Sequence, residues 1–141
     1  MKIKLEDVID TIEMATDGVE HFYNIETGEI IFYSEMMFSM KEQRAFKDEL
    51  EMNQEKYVRF PDQFEVSDYD IMESFIYALP EGKIQDELEE AIRGRGAFRR
   101  FKDKVQDVGL EEKWFSYRDN EYRQIAINWC EENGIEFVSK R

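Results

Sequence analysis

Gly94-Arg95-Gly96-Ala97-Phe98-Arg99-Arg100-Phe101-Lys102-Asp103-Lys104 is the stretch from which the C-terminal half of the chain can be read. Gly94 closes a run in which Ile84, Leu88, Ala91 and Ile92 recur at helical spacing. A glycine after the last periodic residue favours the left-handed stop of a helix. Gly96 frees the backbone just before a second run. There, at about 100° per residue, Phe98, Phe101, Val105 and Val108 fall on one face and are expected in the core. The block predicts two helices joined by a glycine turn, the second ending at Gly109.

The same block concentrates charge. Arg93 to Lys104 carries six cations and one anion, a local +5 in a chain of net −14 whose remaining residues hold 13 cations and 32 anions. One reading is structural. Asp103 lies four residues after Arg99 and three after Arg100, and Glu89 lies four before Arg93, so ion pairs along the helix surface account for the cations. Arg95 is also placed to bond the carbonyls that end the preceding helix. The other reading is a binding surface. The unpaired N–H groups of the second helix start, near Ala97 to Arg99, attract an anion. Arg95, Arg99 and Arg100 offer forked donors to phosphate or carboxylate, Lys102 adds charge, and Gly96 permits close approach. The candidate binding residues are therefore Arg95, Gly96, Arg99, Arg100 and Lys102.

Upstream of the block, Ile71, Met72, Phe75, Ile76 and Leu79 form a broad apolar face on a helix capped by Ser67 and stopped by Pro80. Downstream, Leu110 to Phe115 reads as a short helical turn. A long helix from Tyr117 or Asn120 to Glu132 then carries Tyr122, Ile125, Ala126 and Trp129 on one side. Phe75, Ile92, Phe98, Phe101, Ile125 and Trp129 are expected to be mostly buried. Trp114, Phe115 and Tyr117 pack in the core or frame a cleft near the basic turn.

The N-terminal half changes period. Leu5, Val8, Ile9, Ile12 and Ala15 mark a helix ended by Thr16-Asp17-Gly18. His21 to Asn24 and Glu29 to Tyr33, joined by Ile25-Glu26-Thr27-Gly28, read as a β-hairpin. A helix from Met40 to Glu51 starts at a capping box, Ser39 with Glu42. Its apolar face is narrow, so segment 34–56 is expected to be peripheral or mobile. Met36, Met37, Phe38 and Met40 fill core gaps or offer an adaptable surface. Tyr57 to Phe60 is a third strand, and Ile135 to Val138 a closing one. The fold class expected is α+β, with a small antiparallel sheet and its N-terminal hairpin packed against a predominantly helical C-terminal half, in one domain spanning 1–141.

Several chemistries lack their residues. His21 and Cys130 are the only histidine and cysteine, too few nitrogen and sulfur ligands for a zinc site. No Ca²⁺ loop is present, so neither a metal nor a cofactor is expected. Gly94-x-Gly96 lacks the third glycine and the preceding strand of a dinucleotide fingerprint. No nucleophile elbow occurs, and Cys130 next to Trp129 reads as a buried thiol. The lone cysteine fits a reducing cytoplasm. No apolar run reaches a membrane-spanning length.

Gly-Arg-Gly-Ala-Phe-Arg-Arg-Phe-Lys-Asp (Gly94–Asp103), followed by Trp114, Tyr117, Ile125-Ala126, Trp129 and Gly134-Ile135, resembles a family of small acidic bacterial proteins of the uncharacterised (UPF) series. The resemblance extends through Thr27-Gly28-Glu29, Tyr57-Val58 and Pro61. It implies a bacterial cytoplasmic protein and no activity. The function expected from the residues is a non-enzymatic interaction module whose basic turn, Arg95 to Lys104, contacts an acidic protein surface or a phosphorylated ligand. Direct nucleic-acid binding by the same patch is the alternative, and an enzyme using carboxylate or arginine chemistry a further one.

Overall fold

Two glycines with positive φ, Gly94 at 74° and Gly96 at 73°, fold the quoted block into the tight connection between two helices in the computed structural model. The structure describes residues 2–16, 18–62 and 65–139, so Asp17, in the expected stop of the first helix, lies outside the described residues. The chain divides into two compact units, one of Met1–Val66 with Tyr122–Arg141 and one of Ser67–Glu121. The class is α+β: six α-helices and a three-stranded antiparallel sheet are present among the described residues.

In the first unit, β1 (Ile3–Lys4) runs directly into α1 (Leu5–Glu13), which buries Leu5, Val8, Thr11 and Ile12. The hairpin is β2 (Val19–Asn24) and β3 (Ile30–Ser34), antiparallel with Phe22 opposite Ile31. β4 (Tyr57–Arg59) joins the other edge of β2, giving the order β3-β2-β4. Phe22 and Tyr23 point to opposite faces, yet both are buried. The reason lies on either side of the sheet. Phe46 of α2 (Met40–Met52) lies 5.5 Å from Phe22 and stacks on Tyr33, and Trp129 meets Tyr23 edge-on and stacks on Phe60 at 4.3 Å. The Trp129 indole N–H donates to the Arg59 carbonyl. α2 starts at the expected capping box of Ser39 and Glu42 and buries no residue fully. β5 (Phe137–Val138) pairs in parallel with β1, a strand that the helical period from Leu5 onward conceals.

The second unit is helical: α3 (Asp68–Ala78), α4 (Lys83–Ala91), α5 (Ala97–Asp107) and the first half of α6 (Glu111–Glu132). Ser67 caps α3 by accepting the Asp70 N–H. Phe75, Phe101 and Trp114 form its aromatic centre, with edge-to-face rings 4.7 Å apart between Phe101 and Trp114 and 5.4 Å between Phe75 and Trp114.

Three expectations are corrected. Phe98 is 49% exposed and Ile84 is 43% exposed, so neither is core. The Leu110–Phe115 turn and the last helix are one continuous helix of 22 residues, because no glycine or proline interrupts 111–132.

Candidate functional site

The basic block is sorted by the helix that carries it. Around α5, Ala97, Phe101 and Val105 are buried and fix the direction of the core. At about 100° per residue, Arg100 and Lys104 flank that stripe on one side, Phe98 and Lys102 flank it on the other, and Arg99 lies nearly opposite the core.

The first flank faces α4 and is occupied. The Arg100 guanidinium donates from Nε to the Ala91 carbonyl at 2.9 Å, and from its two terminal nitrogens to the carbonyls of Arg95 and Arg93. These are acceptors at and beyond the end of α4, where a helix leaves its carbonyls without internal partners. The left-handed turn at Gly94 and Gly96 aims them at one point. A Cβ on Gly96 would stand 3.1 Å from an Arg100 terminal nitrogen, so the dihedral favours glycine there and any side chain would also displace the guanidinium by a few tenths of an ångström. One turn further along, the Lys104 ammonium pairs with Glu87 at 2.8 Å. That hydrogen bond holds the Glu87 carboxyl below its ordinary range and raises Lys104. Arg93 pairs with Glu90 at 3.6 Å. The expected carbonyl-bonding role of Arg95 thus belongs to Arg100, which reaches back from the following helix.

The second flank is open. Arg95, Arg99 and Lys102 are exposed, and among the described residues none of the three is held by a carboxylate. Asp103, expected to pair with Arg99 or Arg100, pairs with neither. The first helical hydrogen bond of α5 runs from the Arg100 N–H to the Gly96 carbonyl, so the N–H groups of Ala97, Phe98 and Arg99 have no helical acceptor. Beside Lys102, a cleft of about 200 Å³ is lined by Met72, Phe98, Phe101, Trp114 and Phe115, with Asp68 and Arg118 at its edge. Met72, Phe101 and Trp114 are buried and make its floor, while Phe98 and Phe115 are 49% and 55% exposed and make its walls. Arg118 lies 3.5 Å from Asp68.

Of the residues read from sequence, the turn therefore brings Arg95, Gly96, Arg99 and Lys102 to one surface, and turns Arg100 inward onto backbone. Phe115 enters beside Phe98 as a cleft wall. Arg118 escapes sequence reading; the signal for it is its place one turn after Trp114 and Phe115 in an unbroken helix.

Cys130 is fully enclosed in the first unit, and burial pushes its thiol up to about 11. His21, half-buried on β2, is lowered by the same cause. Among the described residues no helix is long and apolar enough to cross a membrane.

A small α+β protein with this arrangement has a match in known families. The chain belongs to the uncharacterised protein family UPF0158, whose pattern it matches over residues 1–141. It is 23% identical over 137 residues to UPF0158 protein PA5073 of Pseudomonas aeruginosa, an alignment covering 94% of this chain and 86% of that protein. No solved structure matches it.

Proposed function

We propose that this protein is a non-enzymatic interaction module whose basic turn contacts an acidic or phosphorylated partner. The observation that carries the reading is the division of the block: Arg100 and Lys104 hold the turn to α4, leaving Arg95, Arg99 and Lys102 exposed and unpaired beside the open N-terminus of α5. A rigid turn presenting forked donors and free backbone N–H groups has the chemistry for carboxylate or phosphate. With a net charge of −14, the long-range field repels polyanions. Charges beyond a Debye length of about 8 Å at physiological salt are largely screened, so the local patch governs contact with a short anionic group. A cytoplasmic location goes with this reading and is supported by the single, enclosed cysteine.

Exposure of Phe98 and Phe115 next to cations favours a second reading, single-stranded nucleic acid stacked on aromatic rings. Titration of ¹⁵N-labelled protein with an acidic peptide, its phosphorylated counterpart and a single-stranded oligonucleotide separates the two. The first reading expects the Arg95–Lys102 amides to shift with a peptide and the Arg95→Gln/Arg99→Gln variant to lose the shift. Binding confined to the oligonucleotide, weakening steeply with added salt, would replace it with the second.

A further inference from the structure

We infer that the Phe98–Phe115 cleft receives one apolar side chain of an acidic peptide segment, so that the partner is a linear protein motif pairing a hydrophobic anchor with flanking carboxylates. This rests on the proposed binding role of the basic turn, and adds the specificity element that charge alone lacks.

Three observations carry it. The cleft has an apolar, buried floor and an open mouth: Met72, Phe101 and Trp114 are at most 5% exposed beneath two half-exposed rings. Its volume, about 200 Å³, lies below the roughly 300–1,000 Å³ of small-molecule and cofactor sites, and suits a single inserted side chain. On its α5 side the cleft is complementary in charge to an acidic chain. Lys102 lies one turn after Phe98 on the same flank of α5, and Arg99 follows Phe98 directly. Asp68, the carboxylate at the edge, is engaged with Arg118.

Shape decides between a peptide and a nucleic-acid strand. Bases stack on exposed ring faces in a groove that tracks a continuous backbone charge. A pocket walled by two rings over a buried floor instead encloses a side chain, as hydrophobic anchors of interfaces are enclosed. The basic surface is also short, confined to about two helical turns from Arg95 to Lys102, within a protein of net −14. A long polyanion would extend past it into repulsion.

A displayed library of random twelve-residue peptides, panned on the intact protein, tests this without assuming a sequence. Selected peptides are then measured by fluorescence anisotropy against wild type, Phe98→Ala and Arg95→Gln/Arg99→Gln, with a single-stranded RNA of equal charge alongside. Phe98 is half-exposed, and thermal unfolding verifies that Phe98→Ala stays folded; Phe115→Ala repeats the test from the other wall. The expected result is enrichment of acidic peptides with one recurrent aromatic or aliphatic position. Replacing that residue with Ala should weaken binding to wild type by about tenfold or more and have little further effect on Phe98→Ala. Acidic peptides that bind without a fixed anchor, and are weakened only by the double arginine variant, would overturn the cleft inference while leaving the basic-turn reading intact. No enrichment, or peptides indifferent to both variants, would overturn both. RNA binding tighter than every selected peptide would assign the surface to nucleic acid instead.

Discussion

On one flank of α5, Arg100 and Lys104 are held by α4 and the turn that follows it, through the carbonyls of Ala91, Arg93 and Arg95 and the Glu87 carboxylate. On the other, Phe98 and Lys102 border a cleft, with Arg99 beside them and no carboxylate drawn to either cation among the described residues. Each flank carries a lysine four residues after its first member, Arg100 on one side and Phe98 on the other, and the two differ in what packs beside them. A helix C-terminus supplies acceptors on the first side, whereas α6 supplies aromatic rings on the second. Cations beside a helix end become structure. Cations beside an aromatic cleft keep their donors available.

The two flanks differ from the core of α5 most at two phenylalanines three residues apart. Phe101 is fully enclosed, and Phe101→Ala is expected to cost about 3–5 kcal/mol in urea unfolding. Phe98→Ala should cost less than about 1 kcal/mol, as a half-exposed side chain away from the packed centre. Equal losses would place Phe98 in the core and close the cleft.

The two glycines of the turn carry the next largest effect. A residue other than glycine in the left-handed region costs about 1–2 kcal/mol. Gly94→Ala should show that cost alone, since nothing lies within 4 Å of its added Cβ. Gly96→Ala should cost more, because its Cβ meets the Arg100 guanidinium at 3.1 Å. Comparison of the two melting temperatures checks the order, and the reverse order would remove Arg100 from the turn.

The smallest effect belongs to the Lys104–Glu87 pair. Its depressed carboxyl contributes stability above the unfolded-state pKa and loses it as pH falls through the folded-state value; the raised Lys104 contributes below its unfolded value and loses it as pH rises through the folded one. The melting-temperature advantage of wild type over Glu87→Gln should therefore be small and flat between about pH 5 and 10, and shrink outside that window. An advantage that grew toward acid would contradict the pairing. Both groups are on the protein surface, so added salt should reduce it as well.

Local signals made much of this legible. The Ser39–Glu42 capping box, the Ser67 cap and the two β-rich runs joined by Ile25 to Gly28 each depend on residues within a few positions, and each element is present. Phe98 departs from its expected burial because its period with Phe101 and Val105 puts it at the edge of the apolar stripe, and an edge residue is buried or exposed by its neighbour, here α6. β1 is two residues long and pairs with β5 across nearly the whole sequence, leaving no local trace, whereas the closing strand read at Ile135 to Val138 is present as β5. At the site, the cationic residues could be named from sequence, but which of them is engaged depends on where the carbonyls of 91, 93 and 95 point. That follows from two backbone dihedrals and no side-chain pattern.

The division of the basic block is tested most directly by the unfolding free energy of the Arg95→Gln/Arg99→Gln double variant, measured beside Arg100→Gln in the same urea series. The account predicts that the double variant stays within about 0.5 kcal/mol of wild type, while the single Arg100→Gln change, which releases three carbonyls, costs about 1–2 kcal/mol. A double variant less stable than Arg100→Gln would make Arg95 and Arg99 structural residues and contradict the binding surface built on them.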